Sequence, residues 1–312
     1  MNCEYAPAAA LVNTGVSLAK YIRLNNPGNG CYLNSVFQAL LSLTNARSSF
    51  YGKFNDHDCY KIFVPMEDLS TNIPVVETVE VFAYFKQKRV EQVYGTYEFT
   101  SDKQEDAHEF LLYVLDCFNK EDYPWFHDNC RFSCFETMNC STCNRVHKLP
   151  ENEFLILPAR LPRTSYSSGS VRLQKLDFMI DNMDTTNSHC TVCCCNTQHN
   201  KRTMIANDLP NMLIVHILRF VRDGTKYKKL MHSVDCSGDI SICGAAYKLR
   251  AIIRHVGESI EHGHYTTQVL DDSNSYLFDD AKEMKTVKLS ARRSQVFDNM
   301  HEPYLIFLEK VV

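Results

Sequence analysis

Cys31 follows the turn-dense run Asn25-Asn26-Pro27-Gly28-Asn29-Gly30 and opens a segment with apolar residues at Leu33, Val36, Phe37, Leu40 and Leu41. Those spacings are the stripe of an amphipathic helix, and the Asn/Gly run before it is turn chemistry. A thiol at a helix start feels the positive end of the helix dipole, which favours the thiolate, the nucleophilic form. A buried structural cysteine is the usual fate of a lone cysteine. Cys31 has partners late in the chain. Gly263-His264-Tyr265 opens one β-rich run and Phe278-Asp279-Asp280 closes the next, with the turn-forming Asp271-Asp272-Ser273-Asn274 between them. A hairpin centred between Asp271 and Asp272 sets His264 opposite Asp279, and a centre half a residue later sets it opposite Asp280. Consecutive acids point to opposite faces, so one of the two would orient the imidazole in a Cys/His/Asp set. Asn26 could donate its side-chain amide to the oxyanion of an acyl intermediate, against the plainer reading as a turn residue.

A second constellation lies mid-chain. The protein has 14 cysteines, and Cys140-Ser141-Thr142-Cys143 and Cys190-Thr191-Val192-Cys193 form two Cys-x-x-Cys pairs. Two such pairs are the ligand set of one tetrahedral structural zinc site. The long insert between them must leave and return, which describes a two-pronged projection clamped at its tip. Cys194 and Cys195 follow immediately and leave open which thiols bind. Cys130, Cys134, His147 and His189 are further donors nearby, read as non-ligands.

The elements that must position these groups divide into helices first and strands later, an α+β pattern. Gln104–Asn119 carries apolar residues at Ala107, Phe110, Leu111, Val114, Leu115 and Phe118, and Ser101 with Gln104 resembles a capping box. Thr164–Ser170 reads as a loop, and the polar stretch Asp181–His189 leads into the second cysteine pair. Met212–Leu218, Tyr247–Val256, Tyr265–Leu270 and Tyr304–Leu308 read as strands, and the absence of helical patterns between them favours antiparallel pairing. The first 20 or so residues show no period and read as an extension.

Composition bounds the function class. The 312 residues are 45% hydrophobic and 22% charged, with a net charge of −4. That excludes a largely disordered chain and argues against a general nucleic-acid binder. No run of about 18 apolar residues predicts a membrane span, and no basic, apolar leader opens the sequence. The cysteines are therefore expected as thiols, metal ligands or nucleophiles in the cytosol or nucleus, including those of a host cell.

In their order, these residues resemble the ubiquitin-specific protease family of deubiquitinating cysteine proteases. The run from Asn26 through Cys31, Tyr32, Asn34, Ser35 and Gln38 to Leu40 follows the family's cysteine box, with Gly30 where Thr is usual. Gln104-Glu105-Asp106-Ala107-His108-Glu109-Phe110 matches a second box. Leu209-Pro210 through His216 and Arg219-Phe220 match a third. Tyr247, Leu249, Ala251, His255, Gly257 and Gly263-His264-Tyr265 match a fourth, and Phe278-Asp279-Asp280 and Tyr304-Leu305-Ile306-Phe307 complete the series over Tyr21–Lys310.

The resemblance implies a papain-like hand with antiparallel sheet in palm and fingers. After the extension at residues 1–20, residues 21–312 would form one catalytic domain. Its thumb would span about residues 21–129, zinc-tipped fingers about 130–205 with part of the palm interleaved, and the palm about 206–312. It implies Cys31 as nucleophile, His264 as base and then acid, Asp279 as orienter and Asn26 as oxyanion donor. Asp106, Glu109, His255 and Tyr265 would be substrate-binding, the acids on the basic tail of ubiquitin and Tyr265 along the channel for its Gly-Gly end. Structural zinc on Cys140, Cys143, Cys190 and Cys193, no organic cofactor, and ubiquitin, ubiquitinated proteins and regulatory proteins as partners follow. No nucleic acid and no membrane are expected. The rival readings are an inactive ubiquitin-binding scaffold on the same fold, a protease for a ubiquitin-like modifier, and a zinc-finger nucleic-acid module.

Overall fold

The computed structural model describes residues 23–26, 28–43, 75–76, 103–120, 125–161, 170–172, 177–178, 183–205, 209–223, 226–237, 239–242, 244–259, 262–271, 273–282, 285–288 and 302–311. The expected extension, Ser101 and the loop residues 164–169 lie outside them.

Strand β1 (Arg23–Leu24) leads to helix α1 (Cys31–Ser42) and pairs in parallel with β2 (Val75–Val76). Helices α2 (Ala107–Lys120) and α3 (Trp125–Cys130) follow, then strands β3 (Phe132–Cys140), β4 (Val146–Lys148), β5 (Asn152–Phe154) and β6 (Ile156–Arg160). The short β7 (Ser170–Arg172) and β8 (Asp177–Phe178) precede β9 (Met183–His189) and β10 (Asn196–Ile205). Among the described residues, the remaining elements are strands: β11 (Met212–Leu218), β12 (Phe220–Asp223), β13 (Lys226–Lys229), β14 (Ser233–Asp235), β15 (Ile240–Ile242) and β16 (Ala245–Val256). They end with β17 (His264–Leu270), β18 (Asn274–Phe278), β19 (Lys285–Lys288) and β20 (Glu302–Lys310).

Two sheets organise the α+β fold. One runs β19-β18-β17-β16-β20-β11-β6-β8, with β15 also on β16. The other runs β4-β3-β10-β9, with β5 on β3. The strands expected late in the sequence pair antiparallel, β11 with β20 and β16 with both β17 and β20. β11 takes a parallel neighbour on its other side, β6, which departs from all-antiparallel pairing. The apolar runs of β11 and β20 follow from burial on both faces. Ile214, Leu305 and Phe307 pack toward α1 and α2, whereas Leu213, Val215, Ile306 and Leu308 join a second core with Phe132 and Leu157.

Helix α1 is the centre of the first core. Every residue from Cys31 to Leu41 is buried. Tyr32 and Phe37 meet Phe110 of α2 edge to face, at 5.3 and 6.0 Å between ring centroids. Truncating Phe37 to alanine would cost about 3–5 kcal/mol, the scale of a deleted core aromatic. The hydroxyl of Thr267 on β17 donates to the Ser35 carbonyl at 2.9 Å, so the helix is tied to the strand beside it.

Helix α2 starts at Ala107 and not at Gln104. The cap is Asp106, whose Oδ1 accepts from the N–H groups of His108 at 2.7 Å and Glu109 at 3.1 Å. An aspartate at that position satisfies first-turn donors, so the helix opens after it.

Candidate active site and metal centre

Four segments that the fold brings together build the first site. Cys31 is the first residue of α1, and Gly30 before it makes no side-chain cap. No side-chain oxygen of Gly30 competes at the helix end, where partial positive charge gathers. Asn26 shapes the turn that delivers Cys31: its Oδ1 accepts from the N–H groups of Gly28 at 3.1 Å and Gly30 at 2.9 Å.

His264 opens β17 and Asp279 lies one residue past the end of β18. Asp279 Oδ1 stands 2.6 Å from His264 Nε2. Asp279 is thus the expected partner, but the hairpin register differs from both expectations. Thr267 pairs with Phe278 and Leu270 with Ser275, which centres the hairpin between Asp272 and Ser273. Direct pairing stops at Phe278, and Asp279 reaches the imidazole from the chain beyond. His264 is raised to about 9, chiefly by its hydrogen bond to Cys31 and also by Asp279, against the opposing effect of burial. The pair therefore favours imidazolium beside the thiol at neutral pH. Lys282 donates to the other oxygen of Asp279 at 2.8 Å.

Asp280 has its own task. Its Oδ2 accepts from Asn26 Nδ2 at 2.9 Å and its Oδ1 from Asn34 Nδ2 at 2.7 Å. It adopts φ 51°, a left-handed conformation that turns its side chain away from its neighbour's direction. Both acids serve, one on the histidine and one on the loop before Cys31. The expectation that one would serve assumed both were still in a strand.

Asp106 lies between α2 and the palm strands. Its Oδ2 accepts from Tyr304 at 2.6 Å and faces the Tyr265 hydroxyl at 3.5 Å. Glu109 is exposed and Glu105 half-buried beside it. Glu109 is raised by burial and by the like charges of Asp106 and Glu105, so the three form one acidic face. Gln104 reaches across to accept the Gly263 N–H at 2.9 Å. His108 stacks on His216 of β11, with ring centroids 3.9 Å apart, which docks α2 on the large sheet. Tyr265 and His255 are register partners on β17 and β16, and both are buried, at 4% and 1% exposure. His255 in particular offers little surface to a substrate and instead lies under Gly263, where an added Cβ would sit 2.1 Å from its Nε2. Asn34 and Tyr304 were missed as functional neighbours, and Asp280 was weighed only as an alternative partner for His264, although each lies inside a matched motif. Spacing alone does not show which side chains converge.

The second site is at the far end of the β3 and β9 hairpins. The sulfurs of Cys140, Cys143, Cys190 and Cys193 lie within 4.8 Å of one another. Cys140 and Cys193 are 3.8 Å apart, as are Cys143 and Cys190. A tetrahedral metal with bonds of about 2.3 Å to sulfur sets sulfurs about 3.8 Å apart, so the donor set fits zinc. The spacing is too wide for disulfides, which need about 2 Å. The two turns are copies. Asn144 N–H donates to the Cys140 carbonyl and Cys194 N–H to the Cys190 carbonyl, each at 2.9 Å. Asn144 and Cys194 both take left-handed φ values, 56° and 55°. Cys194 and Cys195 therefore occupy the places of Asn144 and Arg145, and both are exposed. His147 Nε2 stands 3.5 Å from Cys190 Sγ, outside the four-sulfur set. Cys130 and Cys134 belong to the apolar cores, and His189 contacts Asn196.

Comparison with known proteins adds to this geometry. The family model described as ubiquitin carboxyl-terminal hydrolase matches residues 22–307. Ubiquitin carboxyl-terminal hydrolase 4 of Arabidopsis thaliana is 26% identical over 318 residues, covering 87% of this chain and 87% of that protein. Ubiquitin carboxyl-terminal hydrolase 25 of the same plant is 27% identical over 80% of this chain and 42% of its own length. Among solved structures, the SAGA DUB module of Ubp8, Sgf11, Sus1 and Sgf73 bound to monoubiquitin matches with a TM-score of 0.72 at 17% identity, over 98% of this chain and 74% of that one. The same module bound to ubiquitin aldehyde matches with a TM-score of 0.69 at 18% identity, over 96% and 71%.

Proposed function

The chain belongs to the ubiquitin carboxyl-terminal hydrolase family of cysteine peptidases, and from that premise we propose that it cleaves the peptide or isopeptide bond after the C-terminal glycine of ubiquitin. The observation that carries the reading is the His264 imidazole, held by Asp279 at 2.6 Å and raised by its interaction with Cys31 at the head of α1.

The chemistry follows from those contacts. Cys31 as thiolate attacks the glycine carbonyl, forming a carbon–sulfur bond. The oxyanion accepts from the second N–H of Asn26 Nδ2, the first being spent on Asp280. The intermediate collapses as His264 gives its proton to the departing amine, leaving a thioester on Cys31. His264, now neutral, takes a proton from water as hydroxide adds to the thioester; expulsion of the thiolate frees the carboxylic acid, which gives its proton to solvent, and the thiolate–imidazolium pair is regenerated. Asp279 orients the ring through both steps, and the face of Glu105, Asp106 and Glu109 suits a basic peptide tail.

Cys140, Cys143, Cys190 and Cys193 would hold one zinc ion, which supplies a structural cross-link between the two hairpins. None of the described cysteines is in a disulfide, which suits a reducing compartment, the cytosol or nucleus. No helix among the described residues is long and apolar enough to cross a membrane.

The test is covalent labelling by ubiquitin carrying a C-terminal electrophile. Wild type should label and Cys31→Ala should not. Labelling by a ubiquitin-like modifier in place of ubiquitin would reassign the substrate, and no labelling by either would leave a binding scaffold.

A further inference from the structure

We infer that Lys229 is a positioning residue for the reaction: its ammonium group binds His255 and Gly257 into one mount for His264, without touching substrate. The inference rests on the assignment of His264 as the proton-transfer group.

A lysine is seldom buried, because an ammonium group loses its hydration unless hydrogen bonds replace it. Lys229, the last residue of β13, is 6% exposed. Its Nζ donates to His255 Nδ1 at 3.1 Å, to the His255 carbonyl at 2.8 Å and to the Gly257 carbonyl at 2.8 Å. An ammonium group has three donors, and all three go to this one short segment. An ammonium group cannot accept, so His255 Nδ1 is the acceptor and the neutral ring carries its proton on Nε2. The ring is held further by Tyr265 at 4.9 Å, Phe220 at 5.5 Å and Tyr304 at 6.3 Å between centroids.

Gly257 and Gly263 lie close over that ring. Gly257 takes φ 130°, and a Cβ on it would lie 2.9 Å from the His262 carbonyl oxygen. At Gly263 a Cβ would meet His255 Nε2 at 2.1 Å and the Val256 carbonyl oxygen at 2.7 Å. Gly257 is thus fixed from beneath by Lys229, and Gly263 by contact with His255. His264 is the next residue. A displacement at its backbone would change the imidazole's distance to Cys31 and Asp279 together.

Charge points the same way. His255 is lowered to about 4, first by burial and then by Lys229, Arg219 and His264. Glu302, opposite His255 on β20, is already paired with Arg219 at 2.8 Å. Burial and the Lys229 ammonium together therefore keep the His255 ring uncharged.

The experiment uses the full chain as wild type, Lys229→Met, His255→Phe and the double variant. Two quantities are read: kcat and KM on a ubiquitin C-terminal amide, and the rate of Cys31 alkylation by iodoacetamide against pH, followed on the Cys31 peptide by mass spectrometry. Lys229→Met should lower kcat by about tenfold to a hundredfold, the scale of a small misplacement of a catalytic group, with KM nearly constant. It should also slow Cys31 alkylation at neutral pH, where the His264 imidazolium stands beside the thiol. His255→Phe should do the same, and the double variant should lose no more than the worse single, because the two act through one mount. If Lys229→Met does not fold, His255→Phe carries both readouts. Unchanged alkylation with reduced kcat, unchanged values throughout, or losses that multiply in the double variant would each overturn the inference. If wild type shows the thiolate at neutral pH but cleaves no ubiquitin amide, the proposed function falls, while the alkylation series still decides the role of Lys229.

Discussion

The finger tip and the catalytic cluster solve the same problem, holding reactive sulfur in place, by opposite means. At the tip, each half of the site is a self-contained turn. Cys140 N–H donates to the Arg145 carbonyl and Cys190 N–H to the Cys195 carbonyl, both at 3.0 Å, so the halves are duplicates. Little apolar packing supports them: Val146 and Val192 beside the cysteines are 64% and 52% exposed. Cys31, the proposed nucleophile, sits in the opposite setting. It is 3% exposed, at the head of a helix with no exposed residue from Cys31 to Leu41. Its partners come from distant parts of the chain. A local site needs a ligand to join its halves, whereas a dispersed site borrows its rigidity from the core.

The contrast predicts where damage should fall. Cys31→Ala should reduce hydrolysis of a ubiquitin C-terminal amide to background while leaving the circular dichroism spectrum intact. His264→Ala should do nearly the same, because members of a catalytic unit are not additive. Measurable turnover by Cys31→Ala would remove the thiol mechanism.

Next in size, Asn26→Ala should slow kcat by about 10²-fold, the effect of losing one oxyanion donor. Asp280→Ala should act in the same direction, since it removes the acceptor of the Asn26 amide and one of the three acceptors of the Asn34 amide. A rise in KM with constant kcat in either variant would make the loop a binding element only.

The pH profile separates the sites further. His264 lies above its ordinary value of 6.5, at about 9. Because the folded value is raised, the stabilisation it brings is full below about 6.5 and is lost as pH rises through about 9. Activity should fall about tenfold per pH unit on the alkaline side as the proton for the leaving amine is lost. Asp279→Asn should move that limb to lower pH, and a limb that stays in place would show that the carboxylate does not act on the ring.

Cys190→Ser should lose about one zinc per chain by metal analysis and raise KM for full ubiquitin by roughly tenfold, a change typical of a disturbed metal shell. A peptide ending in the ubiquitin tail should be cleaved almost normally. Equal damage to both substrates would mean that the metal supports the whole fold. The smallest effect belongs to Cys194→Ser, which should keep its zinc and shift stability by no more than about 0.5 kcal/mol. Loss of metal there would bring Cys194 into the ligand set.

Much of this was legible in the chain itself, for a physical reason. The helix that opens at Cys31, the apolar stripe of α2 and the two Cys-x-x-Cys turns depend on spacing within a few residues, and short-range periodicity is written directly in sequence. His264 and Asp279 could be paired because both flank one hairpin. Its register could not be read, since the turn closes between Asp272 and Ser273, one position later than the even division of the loop suggests. The start of α2 moved for a similar reason, because the Asp106 carboxylate was free to turn back on its own helix. Other features have no local signature at all. The parallel seat of β6 against β11, the grip of Asp280 on Asn26 and Asn34, and Lys229 beneath His255 each join segments far apart in the chain. A buried donor takes whichever acceptors the packed backbone presents, and only the assembled fold decides which those are.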